Sequence, residues 1–217
     1  MEIICNGVRL FVRTMGEKTA PALLLIHGNG EDHTIFEAAA QELAARYYVI
    51  LPDSRGHGAS QPVKRYSYRD MANDMAALLD ALDVQDVAVF GFSDGGIIAL
   101  LMAMHHPQRL KRIIAAGANA HPFGVAWDCL RDVAKEWVKT RDGKLFLMMT
   151  QPMMTRCQLG KIKVPVRIVA GEHDLIRPAH TRAIAAAIPG AQVYFVPDED
   201  HGSYIVGSTK FIEAAQL

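Results

Sequence analysis

Six short apolar runs recur along this chain, Leu23–Ile26, Tyr48–Leu51, Val87–Phe90, Arg112–Ala115, Val166–Ala170 and Val193–Val196, and they do not alternate with polar residues. A strand with one wet face alternates. An unbroken run fits a strand covered on both faces, as in a parallel sheet held between two helical layers. Helical patterns lie between the runs. Ile35 to Tyr47 is alanine-rich and amphipathic, and Ser67 to Leu82 opens with Ser67-Tyr68-Arg69-Asp70, a capping-box-like start. Another helix follows the Val87–Phe90 run to about His106 and stops at Pro107, while Arg177-Pro178 opens one that ends at Pro189-Gly190. Strand and helix in alternation predict a doubly wound α/β fold with a mostly parallel central sheet and helices on both faces. Ahead of it, Ile3-Ile4-Cys5 and Val8 to Val12 flank Asn6-Gly7, the dipeptide suited to the left-handed dihedrals of a two-residue turn, which predicts an N-terminal antiparallel hairpin.

One stretch breaks the rhythm. From about 121 to 163 no strand stands where the alternation asks for one, and the segment carries both tryptophans and four of the ten methionines (Met148, Met149, Met153 and Met154). Ala126, Cys129, Leu130, Val133 and Trp137 fall on one helical face, with Arg131, Asp132, Lys135, Glu136 and Lys139 on the other. The expectation is a small helical cap inserted at about 121–163 in a single domain spanning 1–217. A chain of 217 residues, half of them hydrophobic, supports one sizeable core and is short for two. Its formal net charge of zero gives no general pull toward nucleic acid or an anionic membrane, so small-molecule partners are expected. The three cysteines, Cys5, Cys129 and Cys157, are scattered and odd in number, which argues for a reducing compartment over a disulfide framework. With no basic-then-apolar leader and no membrane-length apolar run, the expectation is a cytoplasmic protein, a monomer or small homo-oligomer.

Gly91-Phe92-Ser93-Asp94-Gly95 sits directly between the Val87–Phe90 run and a helical pattern. A serine hydroxyl thrust out of a sharp strand-to-helix turn meets an incoming carbonyl, and glycines two positions either side remove the collisions such a turn would create. A nucleophilic serine needs a base, and the base needs a partner to orient it. In open α/β sheets such groups collect beyond the carboxyl ends of the strands. Asp174 follows the Val166–Ala170 run, and His201 follows Val193–Val196, in the order serine, acid, histidine that this elbow uses. Ser93 is then the candidate nucleophile, His201 the proton shuttle and Asp174 its orienting partner, with Glu172 and Asp198 as rival acids. His27-Gly28-Asn29-Gly30 follows the first central run, so the backbone amides of Asn29 and Asp94 are the candidate oxyanion donors. His27 is expected to buttress that loop, and Asp53 to Ser60 to be a loop held by its own hydrogen bonds. The remaining histidines show no metal-ligand spacing, and no cofactor or metal is expected.

With the His-Gly loop, the Asp-x-Arg-Gly-x-Gly-x-Ser loop at Asp53–Ser60, the elbow and both remaining loops in register, the chain resembles the α/β-hydrolase superfamily over nearly its whole length. Gly91 to Gly96 followed by Ile97, together with Gly117-Ala118-Asn119-Ala120, is similar to the valacyclovir hydrolase-like (biphenyl hydrolase-like) serine hydrolases. That resemblance implies a preference for esters of α-amino acids, with Asp94 at the position that holds the substrate ammonium. The expected function is cleavage of small carboxylic esters through an acyl-enzyme. Trp127, Trp137 and the methionines are candidates for the acyl pocket. Carbon–carbon bond or lactone hydrolysis on the same three residues, and a low-turnover ligand receptor on the hydrolase fold, are the competing readings.

Overall fold

The computed structural model describes residues 1–217. Eight strands, β1 (Glu2–Cys5), β2 (Val8–Met15), β3 (Ala22–Ile26), β4 (Tyr48–Pro52), β5 (Val87–Phe92), β6 (Leu110–Ala116), β7 (Val166–Gly171) and β8 (Gln192–Val196), form one sheet in the order β1-β2-β4-β3-β5-β6-β7-β8. The β1–β2 and β2–β4 pairings are antiparallel and every later pairing is parallel. Asn6 and Gly7 both take positive φ at the hairpin tip, where Cys5 pairs with Val8.

Alternation along the central strands divides the core into two layers. Leu24, Ile26, Ile50, Val89, Ile113 and Ile168 face one side, where α2 (Tyr68–Ala81) and α3 (Asp94–His105) pack. Leu23, Leu25, Val49, Phe90, Ile114 and Val169 face the other, covered by α1 (Glu37–Leu43) and the C-terminal α8 (Lys210–Ala215). Between β6 and β7 the chain forms α4 (Trp127–Thr140), α5 (Gly143–Thr150) and α6 (Arg156–Leu159), and α7 (Pro178–Ala187) joins β7 to β8. No helix is long and apolar enough to cross a membrane.

Two expectations change. The Val193–Val196 run is not buried on both faces. β8 is the sheet's edge, paired only to β7, and Val193 is 42% exposed. The Ile35–Tyr47 pattern is a 3-10 turn (His33–Phe36) followed by the two-turn α1, because Asp32 caps Thr34 early.

Candidate active site

Ser93 lies between β5 and α3 with φ 54° and ψ −115°, a strained conformation for a residue with a Cβ. Its amide donates to Ala116 O on β6 (2.8 Å), and its carbonyl accepts from Gly96 and Ile97, so both sides of the turn are fastened. The flanking glycines are steric necessities. A Cβ on Gly91 would stand 2.0 Å from Gly95 O, and one on Gly95 would stand 2.1 Å from Ile26 O, so β5, α3 and the end of β3 meet backbone to backbone.

The structure joins the three side chains singled out from sequence in one hydrogen-bonded chain. His201 Nδ1 donates to Asp174 Oδ1 (2.7 Å), and His201 Nε2 accepts from Ser93 Oγ (3.1 Å). The Asp174 side chain is fully buried and that of His201 is 18% exposed. Asp174 also accepts from the Ile176 amide (2.8 Å), which holds the carboxylate in place from its own loop. The rival acids stand apart: Glu172 is exposed and accepts from the Asp198 amide. Gly117, at the carboxyl end of β6 with φ +59°, underlies the imidazole, and a Cβ there would lie 2.7 Å from His201 Cε1.

His27 is buried. Its Nδ1 donates to Gly28 O (2.7 Å), and its Nε2 accepts from the Ser54 amide (2.9 Å), tying the two glycine-rich loops together. Burial first, and then the nearby His57, pull its pKa down to about 4, so it stays neutral. In the second loop, Asp53 accepts from the His33 amide, His33 Nδ1 and the Ala59 amide, while Ser60 Oγ donates to Asp53 O. Asp32, His33 and Asp53 lie close enough to hold an ion, as do the exposed Glu172, His173 and Asp198. The Asp53 oxygens, however, are already committed to fastening that loop.

The Asn29 amide makes no hydrogen bond within the protein, and the Asp94 amide opens α3, where it has no intrahelical acceptor. The Asp94 side chain is not free. Tyr68 Oη donates to Oδ1 (2.7 Å) and Asn29 Nδ2 donates to Oδ2 (2.8 Å), with Asp94 only 6% exposed. Burial pushes its pKa up to about 6 against the opposing pull of those two hydrogen bonds. Asn29 Nδ2 also reaches Lys144 O in α5 (3.3 Å). The carboxylate thus fastens α2, the elbow and the His27–Gly30 loop to one another.

Ser93 and His201 open on a cavity of about 350 Å³ whose apolar wall includes Val125, Leu145, Met148, Leu175 and Ile176. Neither tryptophan lines it. Trp127 is 61% exposed, with its ring against Phe123 and Arg177, and Trp137 lies against Phe146 and Arg141. No residue of α4 is buried, so that helix forms the outside of the segment between β6 and β7, and α5 supplies the residues that reach inward. Of the methionines, Met148 lines the cavity, Met154 is buried elsewhere and Met153 is exposed. Sequence reasoning passed over Glu31, Tyr68 and Asn119, which also line it. Glu31 and Asn119 lie in loops just beyond β3 and β6, the position that had pointed to the other site residues.

Residues 21–146 match the family described as alpha/beta hydrolase fold. The human serine hydrolase BPHL is 27% identical to this chain, over 99% of the chain and 84% of the relative. A pimeloyl-[acyl-carrier protein] methyl ester esterase of Chromobacterium violaceum is 26% identical over 95% and 96% of the two chains. Among solved structures, the enol-lactonase from Burkholderia xenovorans LB400 superposes with a TM-score of 0.83 at 23% identity, covering 100% of this chain and 98% of that one.

Proposed function

The chain belongs to the α/β-hydrolase family, and from that premise we propose that it is a serine hydrolase of small carboxylic esters that works through an acyl-enzyme on Ser93. The observation that carries the reading is His201 bridging Ser93 Oγ and Asp174 at a cavity beside the strand-to-helix turn. Ser93 Oγ attacks the ester carbonyl carbon as its proton passes to His201 Nε2. The carbonyl oxygen takes up the negative charge and receives the Asn29 and Asp94 amides. His201 then protonates the alcohol as the carbon–oxygen bond breaks. Water attacks the acyl-enzyme, gives its proton to His201 and frees the acid, and the proton returns to Ser93. Asp174 holds neutral His201 in the tautomer whose Nε2 lone pair faces the serine, and stabilises the imidazolium once Nε2 has taken up the proton.

Incubation with a fluorophosphonate is expected to add one phosphonyl group to the Ser93 peptide, and an aryl ester is expected to give a burst of alcohol ahead of steady turnover. A panel of aryl esters, lactones and vinylogous diketones should then show the esters fastest. Absence of label at Ser93 would end this reading and favour a ligand receptor.

The two bonds already made by the Asp94 carboxylate support a role in holding the Asn29 loop in register with the elbow over one in gripping a substrate ammonium. In Asp94→Asn the amide oxygen keeps the bond from Asn29 Nδ2 only if the new NH2 faces Tyr68 Oη, whose hydroxyl must then turn from donor to acceptor. That variant is expected to lose about tenfold in kcat on charged and uncharged esters alike, a fraction of the cost of deleting an oxyanion donor. A loss confined to amino-acid esters would return Asp94 to the ammonium role.

A further inference from the structure

We propose that Glu31 is the residue that sets charge preference in this cavity, favouring esters with a cationic acyl portion and turning away those that carry a carboxylate. The inference rests on Ser93 being the nucleophile and deepens that reading by naming the residue that discriminates among its esters by charge. Two carboxylates line the cavity, Glu31 and Asp94, and no lysine or arginine does. The nearby Lys144 points elsewhere, with its Nζ over the Tyr66 ring and 3.6 Å from Asp142. Of the two acids, Asp94 has both oxygens taken by protein donors and is almost wholly enclosed. Glu31 is partly exposed and spends a single oxygen, Oε2, on the Gly28 amide (2.9 Å), while Oε1 has no partner in the protein.

Its position beside the reacting centre follows from Gly28. The point where a Cβ on that glycine would sit is 2.6 Å from Glu31 Oε2 and 3.1 Å from Ser93 Cβ, so the carboxylate and the elbow serine border one small space. Partial burial raises the carboxyl pKa of Glu31, while the Gly28 hydrogen bond and the proximity of His201 oppose the rise. A carboxylate held in a half-dry cavity interacts with a passing charge more strongly than it would in bulk water. It attracts an ammonium and repels a second carboxylate without touching the bond that breaks.

The test uses three aryl esters of similar size, with acyl groups carrying an ammonium, no charge or a carboxylate. Each variant's own neutral ester serves as its reference. In Glu31→Gln the remaining carbonyl oxygen can still accept from Gly28, so the loop is kept and only the charge is removed. The cationic-to-neutral ratio of kcat/KM is expected to fall about tenfold and the anionic-to-neutral ratio to rise by a similar factor. In the unaltered protein, raising ionic strength is expected to move both ratios the same way. Ratios that stay put in Glu31→Gln while Ser93 is still phosphonylated would overturn the role of Glu31 and leave the serine mechanism standing. No phosphonylation of Ser93 by any probe would overturn both.

Discussion

Replacing His201 by alanine is expected to lower ester turnover by about five powers of ten, and removing Asp174 in addition is expected to cost almost nothing more. The reason lies in the wiring. Asp174 bonds to His201, to the Ile176 amide and more distantly to the Gly171 amide, and makes no bond to Ser93. Everything it contributes to the reaction passes through the imidazole, so once the imidazole is gone it has nothing left to orient. Asp174→Ala alone, with the imidazole present but free to rotate, is expected to lose about four powers of ten. Added imidazole should restore part of the activity of His201→Ala, because that side chain stands at the cavity and is partly open to solvent. It should not restore Ser93→Ala. Steady-state rates for the single and double variants, with folding checked by circular dichroism, decide the matter. A double variant much slower than His201→Ala would mean that Asp174 acts on the substrate by some other route.

The features legible in the sequence are those where local chemistry leaves few options. Asn6-Gly7 at the hairpin tip and Pro178 at the first position of α7 act within a turn, and the structure places each as expected. The uninterrupted runs give parallel strands because a strand covered on both sides has no reason to alternate. Ser93, Asp174 and His201 are legible as candidates because each lies just past such a run, where topology rather than sequence proximity brings side chains together. Legibility ends where the outcome depends on what a neighbour does. The Val193–Val196 run is as free of polar alternation as its inner counterparts, and only the absence of a further strand beyond it makes it an edge. Trp127 and Trp137, offered as candidates for the acyl pocket, both lie on α4, but an amphipathic pattern fixes which face turns inward and not how far in the helix sits. Here the helix packs against α5, and Leu145 and Met148 reach the cavity instead. Asp94 shows the same limit. Its position beside the serine was plain, whereas its commitment to Tyr68 and Asn29 depends on a helix and a loop remote in sequence.

Gly91→Ala is expected to destabilise the fold by about 3 kcal/mol or more, enough to leave much of the protein unfolded or insoluble. Small-to-large changes are tolerated where a side chain can swing aside, but the added methyl would meet the Gly95 carbonyl oxygen at 2.0 Å, its carbon at 2.3 Å and the Gly96 nitrogen at 2.7 Å. These are backbone atoms at the start of α3, and that helix is itself pressed against Ile26 O through Gly95. To make room, α3 would have to leave the sheet, taking with it the Ser93 dihedrals and the buried layer formed by Ile97, Ile98, Leu100 and Met102. Gly30→Ala supplies the contrast. Nothing lies within 4 Å of the point where its Cβ would go, and only its φ of +73° resists the change. A single left-handed residue costs about 1 kcal/mol. Denaturant midpoints for the two variants should therefore fall far apart, with Gly91→Ala much the lower. Equal midpoints would mean that the strand-to-helix turn yields more easily than its close backbone contacts imply, and that the glycine spacing around Ser93 reflects something other than collision.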